Sequence, residues 1–241
     1  MESNKAFLSE YYDELTYDMP YNLWLDIIHH YKEERESVLD VGCGTGELTG
    51  RLDFSNVEGL DISSTMIDIA KTKHPDINYF VGDMTDFNLS RQFDMITATA
   101  DVMNYCSGPD VFVTALKNIA SHLKDDGVFI FDVHSVYKMN EEFMDMTYSD
   151  ETEHLVYIWN AVREETPLTV THDMTFFIKQ ENNKYERYDE VYTQRTYTHE
   201  DILNMLEKSG LLCVNAFSDF DIDHSIIDIS DRNFYIVKKA L

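Results

Sequence analysis

Hydrophobic and polar positions along the chain follow two different rhythms. The first rhythm consists of short, nearly all-apolar runs separated by longer amphipathic segments with a helical period. These runs are VLDV (38–41), VEGLDI (57–62), INYFV (77–81), FDMITA (93–98) and GVFIFDV (127–133). Such runs are typical of strands that are buried on both faces. Strands that alternate with helices in this way predict a parallel sheet with helices on both of its sides.

The amphipathic segments carry recognisable start and stop signals. The segment 110–127 places four apolar side chains on one helical face, and Gly127 is expected to end that helix. A later helix is expected over 198–210, with Thr198 as its N-cap and Gly210 as its stop. These signals place helices between and after the predicted strands.

After the fifth apolar run, the pattern changes to the short alternation of antiparallel strands. This alternating pattern covers residues 136–192, with turn-like segments between the strand candidates. Two further strand candidates, LLCVNAF (211–217) and NFYIVKKA (233–240), bring the number of strands expected in the main sheet to seven. We therefore expect an α/β protein with a doubly wound, mostly parallel seven-stranded sheet built from 1–135 and 193–241. A small antiparallel β insertion interrupts it.

Composition narrows the range of partners. The chain has 241 residues, of which 44% are hydrophobic, and a formal net charge of -26. A polyanion of this kind is repelled by nucleic acid and by anionic membrane surfaces, which makes both unexpected partners. No apolar run approaches the roughly 20 residues that span a bilayer, and the N-terminal stretch lacks a signal-peptide pattern. The three cysteines, Cys43, Cys106 and Cys213, are far apart, as expected of reduced thiols in a cytoplasmic protein.

Acidic residues and glycines follow the first strands, where a ligand would bind. Asp40 precedes the loop GCGTG, Asp61 ends the second run, and Asp83 follows the third. In an open parallel sheet, ligands lie beyond the carboxyl ends of the strands, so these residues share one crevice. The sequence therefore predicts a ligand site on that edge.

The glycine loop alone is compatible with a phosphate ligand, but its acidic surroundings are not. Asp61 lies 19 residues after Gly42, which suits a ribose contact, yet the glycines run G-x-G-x-G rather than G-x-G-x-x-G. Three carboxylates around the ligand would repel a pyrophosphate, and no Gly-Lys-Ser/Thr follows for a P-loop. A ligand with a ribose, an adenine and a cationic end fits the pattern better.

These residues resemble the class I S-adenosylmethionine-dependent methyltransferases. The resemblance rests on VLDVGCGTG, GLDIS and VGDMTDF, and it extends over the catalytic domain to a bacterial subgroup. It implies a Rossmann-like fold and S-adenosyl-L-methionine as the donor, with S-adenosyl-L-homocysteine as its product. It also implies methyl transfer to a nitrogen or oxygen nucleophile, an N-terminal helical lid over 1–36, and a substrate-side cap formed by 136–192.

The resemblance implies a set of donor contacts. Asp40 would approach the donor ammonium, directly or through water, Asp61 would accept the ribose hydroxyls, and Asp83 would accept the adenine amine. The candidate donor-binding residues are Asp40, Gly42, Cys43, Gly44, Gly46, Asp61, Ile62, Met66, Asp83, Met84, Tyr12, Tyr21 and Trp24.

Ordinary packing competes with several of these assignments. Core packing explains Ile62, Met66 and Met84 equally well, and it also explains Trp24. For Cys43, packing within the loop is the favoured interpretation.

The segment TADVMNYC after the fourth strand is expected to lie beneath the transferred methyl group. It supplies Asp101, Asn104 and Tyr105 as candidate catalytic residues, with Asp101 or Tyr105 accepting a proton or hydrogen bond from the nucleophile. His134 follows the fifth strand and is a candidate base, and Arg195 is a candidate ligand for a substrate carboxylate. The competing interpretations are a helix cap for Asp101, core packing for Tyr105, a structural histidine, and a simple ion pair for Arg195.

Other functions stay open at this point. Because a sulfonium donor is already activated, methyl transfer needs no metal, and the sequence shows no zinc-type ligand spacing. The expected acceptor is a small molecule, and the chain is expected to be a monomer or a homodimer. The alternatives are a dinucleotide-dependent oxidoreductase of the NAD type and a non-catalytic sensor or partner module that binds the same donor.

Overall fold

The structure is a computed structural model that describes residues 11–181 and 184–240. The first ten residues of the predicted lid lie outside the described residues. The helices are α1 (Tyr21–His30), α2 (Ser64–Lys73), α3 (Pro109–His122) and α4 (His199–Lys208), and residues 11–15 are also helical. The strands are β1 (Ser37–Val41), β2 (Asn56–Asp61), β3 (Asn78–Val81), β4 (Phe93–Ala98), β5 (Leu123–His134), β6 (Met146–Glu151), β7 (Leu155–Arg163), β8 (Thr169–Lys179), β9 (Tyr185–Arg195), β10 (Leu211–Ser218) and β11 (Arg232–Lys239).

Seven strands form the main sheet in the order β10-β11-β5-β4-β1-β2-β3. Strands β1 to β5 pair in parallel, whereas β11 runs antiparallel to both β5 and β10. The predicted mostly parallel seven-stranded sheet is therefore confirmed. The strand order reverses between β1 and β4, which is the point where ligands bind in open α/β sheets.

The four remaining strands form a separate antiparallel sheet in the order β6-β7-β8-β9. The small antiparallel insertion predicted from the sequence is thereby confirmed, and its last strand continues to Arg195, beyond the expected boundary at residue 192. Its own core contains Phe143, Ala161 and Val170, packed at the junction with the main sheet.

The hydrophobic core lies on both faces of the main sheet. One face packs against α3 and α4, where Phe112, Leu116 and Ile202 are fully buried. The opposite face packs against α1 through Trp24 and Ile28. Burial on both faces explains why the central strands are nearly all apolar.

The structure contradicts the predicted C-terminal end of α3 and confirms the predicted N-cap of α4. Helix α3 ends at His122, and Gly127 lies inside β5 rather than at a helix stop. The chain becomes extended at Leu123 because this side chain is fully buried and pairs with Phe93 on β4. At α4, by contrast, Thr198 forms the expected capping box with Asp201.

The structure was also searched for membrane-spanning helices. Within residues 11–181 and 184–240, no helix combines the length and the apolar character needed to cross a bilayer.

Candidate active site

The glycine loop leaves β1 with its backbone fixed against the next strand. The amide groups of Gly42 and Cys43 both donate to the carbonyl of Leu60 at the end of β2, at 2.7 and 3.0 Å. Gly42 adopts a φ of +73°, and a Cβ at this position would overlap the side chain of Val102. Glycine is therefore required there both by the backbone conformation and by the available space.

Asp40 lies at the floor of the loop, where it is 3% exposed. Its carboxylate accepts hydrogen bonds from the hydroxyl groups of Thr49 at 2.6 Å and Thr97 at 2.8 Å. Burial raises the pKa of Asp40 to about 6, although both hydroxyl donors oppose this shift. The predicted approach of Asp40 to a ligand ammonium stays a prediction, and its burial favours the version that runs through water.

Asp61 is held at the end of β2 by two backbone amides. One oxygen accepts from Gly44 at 2.9 Å and the other from Ser63 at 2.8 Å. These bonds hold the carboxylate beside the glycine loop, and its contact with a ribose stays a prediction. Asp83 is held in a similar way, because it accepts from both the amide and the hydroxyl of Thr85.

A cavity of roughly 50 Å³ lies against the glycine loop. Its wall combines the loop with aromatic residues from the N-terminal helices and the turn after β4. The lining residues are Tyr12, Tyr21, Trp24, Asp40, Gly42, Cys43, Gly44, Thr45, Glu47, Leu48, Thr99 and Ala100. The structure thus brings the predicted aromatic residues and the predicted loop residues to one place.

The other candidate donor residues lie outside this cavity. Ile62 is 70% exposed, which excludes core packing as an explanation for it. Met66 is half-buried at the start of α2, and Met84 packs against the main core. Gly46 lies at the far end of the loop with a φ of +82°. Their donor contacts stay predictions.

The turn after β4 has an unusual backbone. Ala100 and Asp101 have φ values of +56° and +63°, a conformation that costs non-glycine residues about 1 kcal/mol or more each. Their amide groups donate to the carboxylate of Asp132 on β5, at 2.9 and 3.2 Å. Asp132 therefore stabilises the turn that presents Asp101.

Arg232 connects Asp101 and Asp132 in one buried network. Its guanidinium lies 2.9 Å from Oδ1 of Asp101, and it also pairs with Asp132. The indole Nε1–H of Trp24 donates to Asp132 at 3.0 Å, and the guanidinium lies 4.9 Å from the centre of the Trp24 ring. Sequence reasoning missed Arg232, since nothing in its local pattern distinguishes it from an ordinary charge at the start of a strand.

The electrostatic environment keeps Asp101 ionised. Burial by itself would raise the pKa of Asp101, but Arg232 and Lys138, together with His134 when it is protonated, outweigh burial. They hold the pKa of this carboxyl well below its usual range. Asp101 is therefore a fixed negative charge at neutral pH.

His134 is 4% exposed and lies beside Asp101. Its Nε2 is 3.5 Å from Oδ2 of Asp101 and 3.2 Å from Oε1 of Gln194. Burial lowers the pKa of His134 to about 4, so its imidazole is neutral at pH 7. Its role as a base stays a prediction, and its burial makes direct access to a nucleophile difficult.

Asn104 is 1% exposed, and its amide bridges the two sheets. Oδ1 accepts from the backbone amide of His134 at 3.0 Å, and Nδ2 donates to the carbonyl of Arg195 at 2.9 Å. The catalytic role of Asn104 stays a prediction. In the structure its side chain fixes the ends of β5 and β9 relative to each other.

Tyr105 and Arg195 lie on different sides of this bridge. Tyr105 is half exposed, and its ring centre lies 5.8 Å from that of Tyr192 on β9. The guanidinium of Arg195 lies over the ring of Tyr197 at 5.1 Å. Among the residues that the structure describes, no ion pair is formed by Arg195. Its predicted contact with a substrate carboxylate stays a prediction.

A second buried histidine leads to a pH prediction. His172 on β8 is 1% exposed and accepts from Nε1–H of Trp159 at 2.9 Å, and burial lowers the pKa of His172 to about 4. Since an unfolded histidine titrates near pH 6.5, the unfolded chain binds more protons than the folded chain between about pH 6.5 and pH 4. The free energy of unfolding therefore decreases as the pH is lowered through this range. The loss between pH 7 and pH 5 is about 2 kcal/mol for this residue.

Urea denaturation of wild type and His172→Asn at both pH values measures this contribution. We expect the variant to lose about 2 kcal/mol less than wild type between pH 7 and pH 5. Asp40, whose pKa is raised, acts in the opposite direction, but it does so equally in both proteins. Equal losses in the two proteins would show that His172 does not contribute.

Comparison with known proteins identifies the relatives of this chain. A family model described as a methyltransferase domain matches residues 38–127. The chain is 33% identical over 240 residues to a putative methyltransferase of Geobacillus sp. (strain WCH70), covering 95% of this chain and 97% of that protein. It is also 34% identical over 108 residues to a dTDP-3-amino-3,6-dideoxy-alpha-D-glucopyranose N,N-dimethyltransferase of Streptomyces fradiae, covering 44% of this chain and 42% of that protein.

The overall structure gives the same assignment. The crystal structure of an S-adenosylmethionine-dependent methyltransferase from Clostridium acetobutylicum ATCC 824 superposes with a TM-score of 0.87 at 28% sequence identity. The superposition covers 98% of each chain.

Proposed function

The chain belongs to the class I S-adenosylmethionine-dependent methyltransferases, and on this premise we propose that it methylates a nitrogen or oxygen nucleophile of a small molecule. The observation that carries the proposal is the cavity in which Tyr12, Tyr21 and Trp24 face the glycine loop. That cavity lies at the reversal point of the sheet, and it adjoins the turn that presents Asp101.

The donor would occupy the groove formed by the loop and the ends of β1 and β2. The left-handed glycines allow the backbone to approach the methionine part of the donor closely. Asp61, already aimed by two amides, would accept the ribose hydroxyls in charge-assisted hydrogen bonds. Tyr12 and Tyr21 would lie beside the sulfonium, where aromatic faces attract a positive charge.

The reaction itself requires alignment more than chemical assistance. The nucleophile attacks the methyl carbon in line with the departing sulfur, and the sulfonium is an activated leaving group. Holding two reactants in this geometry can supply roughly 7–11 kcal/mol of the barrier. The chain would therefore act by positioning the acceptor over the donor and by excluding water.

The two elements around the cavity would enclose the reactants. We propose that the N-terminal helices form a lid over the donor, since Tyr12 and Tyr21 line its cavity. We propose that the insertion caps the acceptor side, since Gln194 and Tyr192 of β9 reach the neighbourhood of Asp101 and Tyr105. The cytoplasmic location and the state of the chain as a monomer or a homodimer stay predictions.

Donor binding tests the proposed function directly. Asp61→Ala is expected to weaken binding of S-adenosyl-L-homocysteine by about tenfold or more in calorimetry, because it removes two charge-assisted hydrogen bonds. Asp68→Ala is the matched control, since Asp68 is an exposed carboxylate one turn into α2. If wild type bound NADH in preference to S-adenosyl-L-homocysteine, or if Asp61→Ala bound as tightly as wild type, the assignment would be wrong.

A further inference from the structure

The buried network around Asp101 carries an excess negative charge. Asp132 accepts from the indole of Trp24, from the amides of Ala100 and Asp101, and from Arg232, so all of its partners are donors. Burial and the charge of Asp101 raise the pKa of Asp132, but a protonated carboxyl would need an acceptor, and all of these partners are donors. Asp101 and Asp132 thus share the single guanidinium of Arg232, while His134 is neutral. The charges of Asp101, Asp132 and Arg232 sum to about one negative unit, and Lys138 acts on Asp101 from outside these three residues.

The three charged side chains of this network differ in how far they are exposed. The side chain of Asp132 is 0% exposed and that of Arg232 is 10% exposed, whereas that of Asp101 is 24% exposed. The negative charge therefore reaches the surface through Asp101, whose Oδ1 pairs with Arg232 and whose Oδ2 lies 3.5 Å from Nε2 of both His134 and Gln194.

Burial and the charge of Asp101 raise the pKa values of three nearby tyrosines, Tyr12, Tyr105 and Tyr192. Tyr105 and Tyr192 lie with their ring centres 5.8 Å apart and their planes at 40°. Tyr12 lines the cavity beside the glycine loop together with Ala100, the residue that precedes Asp101. Aromatic faces next to a carboxylate form a favourable environment for an organic cation.

We propose that Asp101, Tyr12, Tyr105 and Tyr192 form a seat for the acceptor's amine nitrogen, and that the acceptor is an aliphatic amine. The inference rests on the proposed function, and it narrows the acceptor from a nitrogen or oxygen nucleophile to one chemical class.

The charge changes of methyl transfer agree with this seat. The amine first releases a proton to solvent, and its lone pair then forms a bond to the methyl carbon. The carbon–sulfur bond breaks, and its electron pair stays on sulfur as S-adenosyl-L-homocysteine. The positive charge moves from sulfur to nitrogen, so a fixed carboxylate beside the nitrogen stabilises the transition state more than the ground state.

The same site is poorly suited to an alcohol acceptor. An alcohol must lose its proton to a base during transfer, whereas a neutral amine attacks without one. Asp101 is a weak base because Arg232 holds its pKa low, and the phenol of Tyr192 has a raised pKa owing to burial and to Asp101. His134 is buried, and its Nε2 already faces Asp101 and Gln194. The surroundings thus supply negative charge rather than an accessible base.

A pair of probes with similar shape tests the seat. Trimethylammonium chloride and tert-butanol are titrated into the full chain, with and without saturating S-adenosyl-L-homocysteine, and amide shifts are followed by NMR. We expect trimethylammonium to bind at least about fivefold more tightly than tert-butanol in wild type. Asp101→Asn should reduce the affinity for trimethylammonium about fivefold or more, while tert-butanol binding is unchanged.

Two further variants complete the design. Tyr105→Leu, at a half-exposed position that does not threaten folding, should weaken trimethylammonium binding about threefold. Asp189→Asn is the matched control, since it removes one exposed carboxylate of β9 at a distance from Asp101 and should leave both probes unaffected. Equal affinities for the two probes, or unchanged trimethylammonium binding in both site variants, would overturn the amine seat. Loss of S-adenosyl-L-homocysteine binding in wild type would instead overturn the proposed function, and the titrations without it still decide the amine seat.

Discussion

Replacement of Arg232 by methionine is expected to lower the free energy of unfolding by about 3–5 kcal/mol. Arg232 as a whole residue is 8% exposed, and its guanidinium pairs with both Asp101 and Asp132. Removing it leaves the fully buried Asp132 and the partly exposed Asp101 without this cation, and burial of an uncompensated charge is the costly part of breaking such a network. Urea denaturation at pH 7, followed by circular dichroism, measures the loss.

Two companion variants show whether the effect comes from the network. Arg187→Met removes an exposed arginine that pairs with Asp189, and it is expected to leave the free energy of unfolding nearly unchanged. Adding Asp132→Asn to Arg232→Met should recover part of the lost stability, because one of the two carboxylates that lost Arg232 is replaced by a neutral amide. A loss below 1 kcal/mol for Arg232→Met would contradict the interpretation.

Substitution of Gly42 by alanine is expected to lower stability by about 2–4 kcal/mol and to weaken donor binding at least about tenfold. Two causes combine: the φ of +73° disfavours any side chain, and a Cβ would overlap Val102. Val102 begins the turn that carries Tyr105, so relief of the overlap would displace both walls of the site. Denaturation and calorimetry with S-adenosyl-L-homocysteine provide the two measurements.

Other glycines separate the two causes. Gly44 has a φ of +53° but open space around it, so Gly44→Ala should show the backbone cost alone, about 1–2 kcal/mol. Gly108→Ala has neither problem and should cost less than about 1 kcal/mol. Adding Val102→Ala to Gly42→Ala should restore part of the stability. If Gly42→Ala and Gly108→Ala were equally stable, the proposed steric requirement would be absent.

The sequence was sufficient for the main sheet and for the placement of Asp61 beside the glycine loop. Strands buried on both faces leave an unmistakable apolar pattern, and chain order alone brings Asp61 to the mouth of the glycine loop. Local signals also located the capping box of Thr198. In each case the decisive interactions lie within the element itself or between neighbouring parallel strands.

Longer-range interactions were not accessible to the same reasoning. The helix stop expected at Gly127 was wrong because β5 already begins at Leu123, which pairs with Phe93, a residue 30 positions earlier on β4. Arg232 reaches Asp101 because β11 pairs with β5, and Asn104 reaches Arg195 because the insertion folds back onto the main sheet. No local pattern encodes these contacts, so the network around Asp101 and the joint between the two sheets emerged only from the structure.

The bridge made by Asn104 has a mechanical consequence. The glycine loop follows a strand of the main sheet, while β9 of the second sheet places Gln194 beside Asp101 and Tyr192 beside Tyr105. One amide joins the two parts through backbone groups, so it tolerates side-chain changes on either partner residue. Replacement of the side chain of His134 or Arg195 should therefore leave the joint between the two sheets in place.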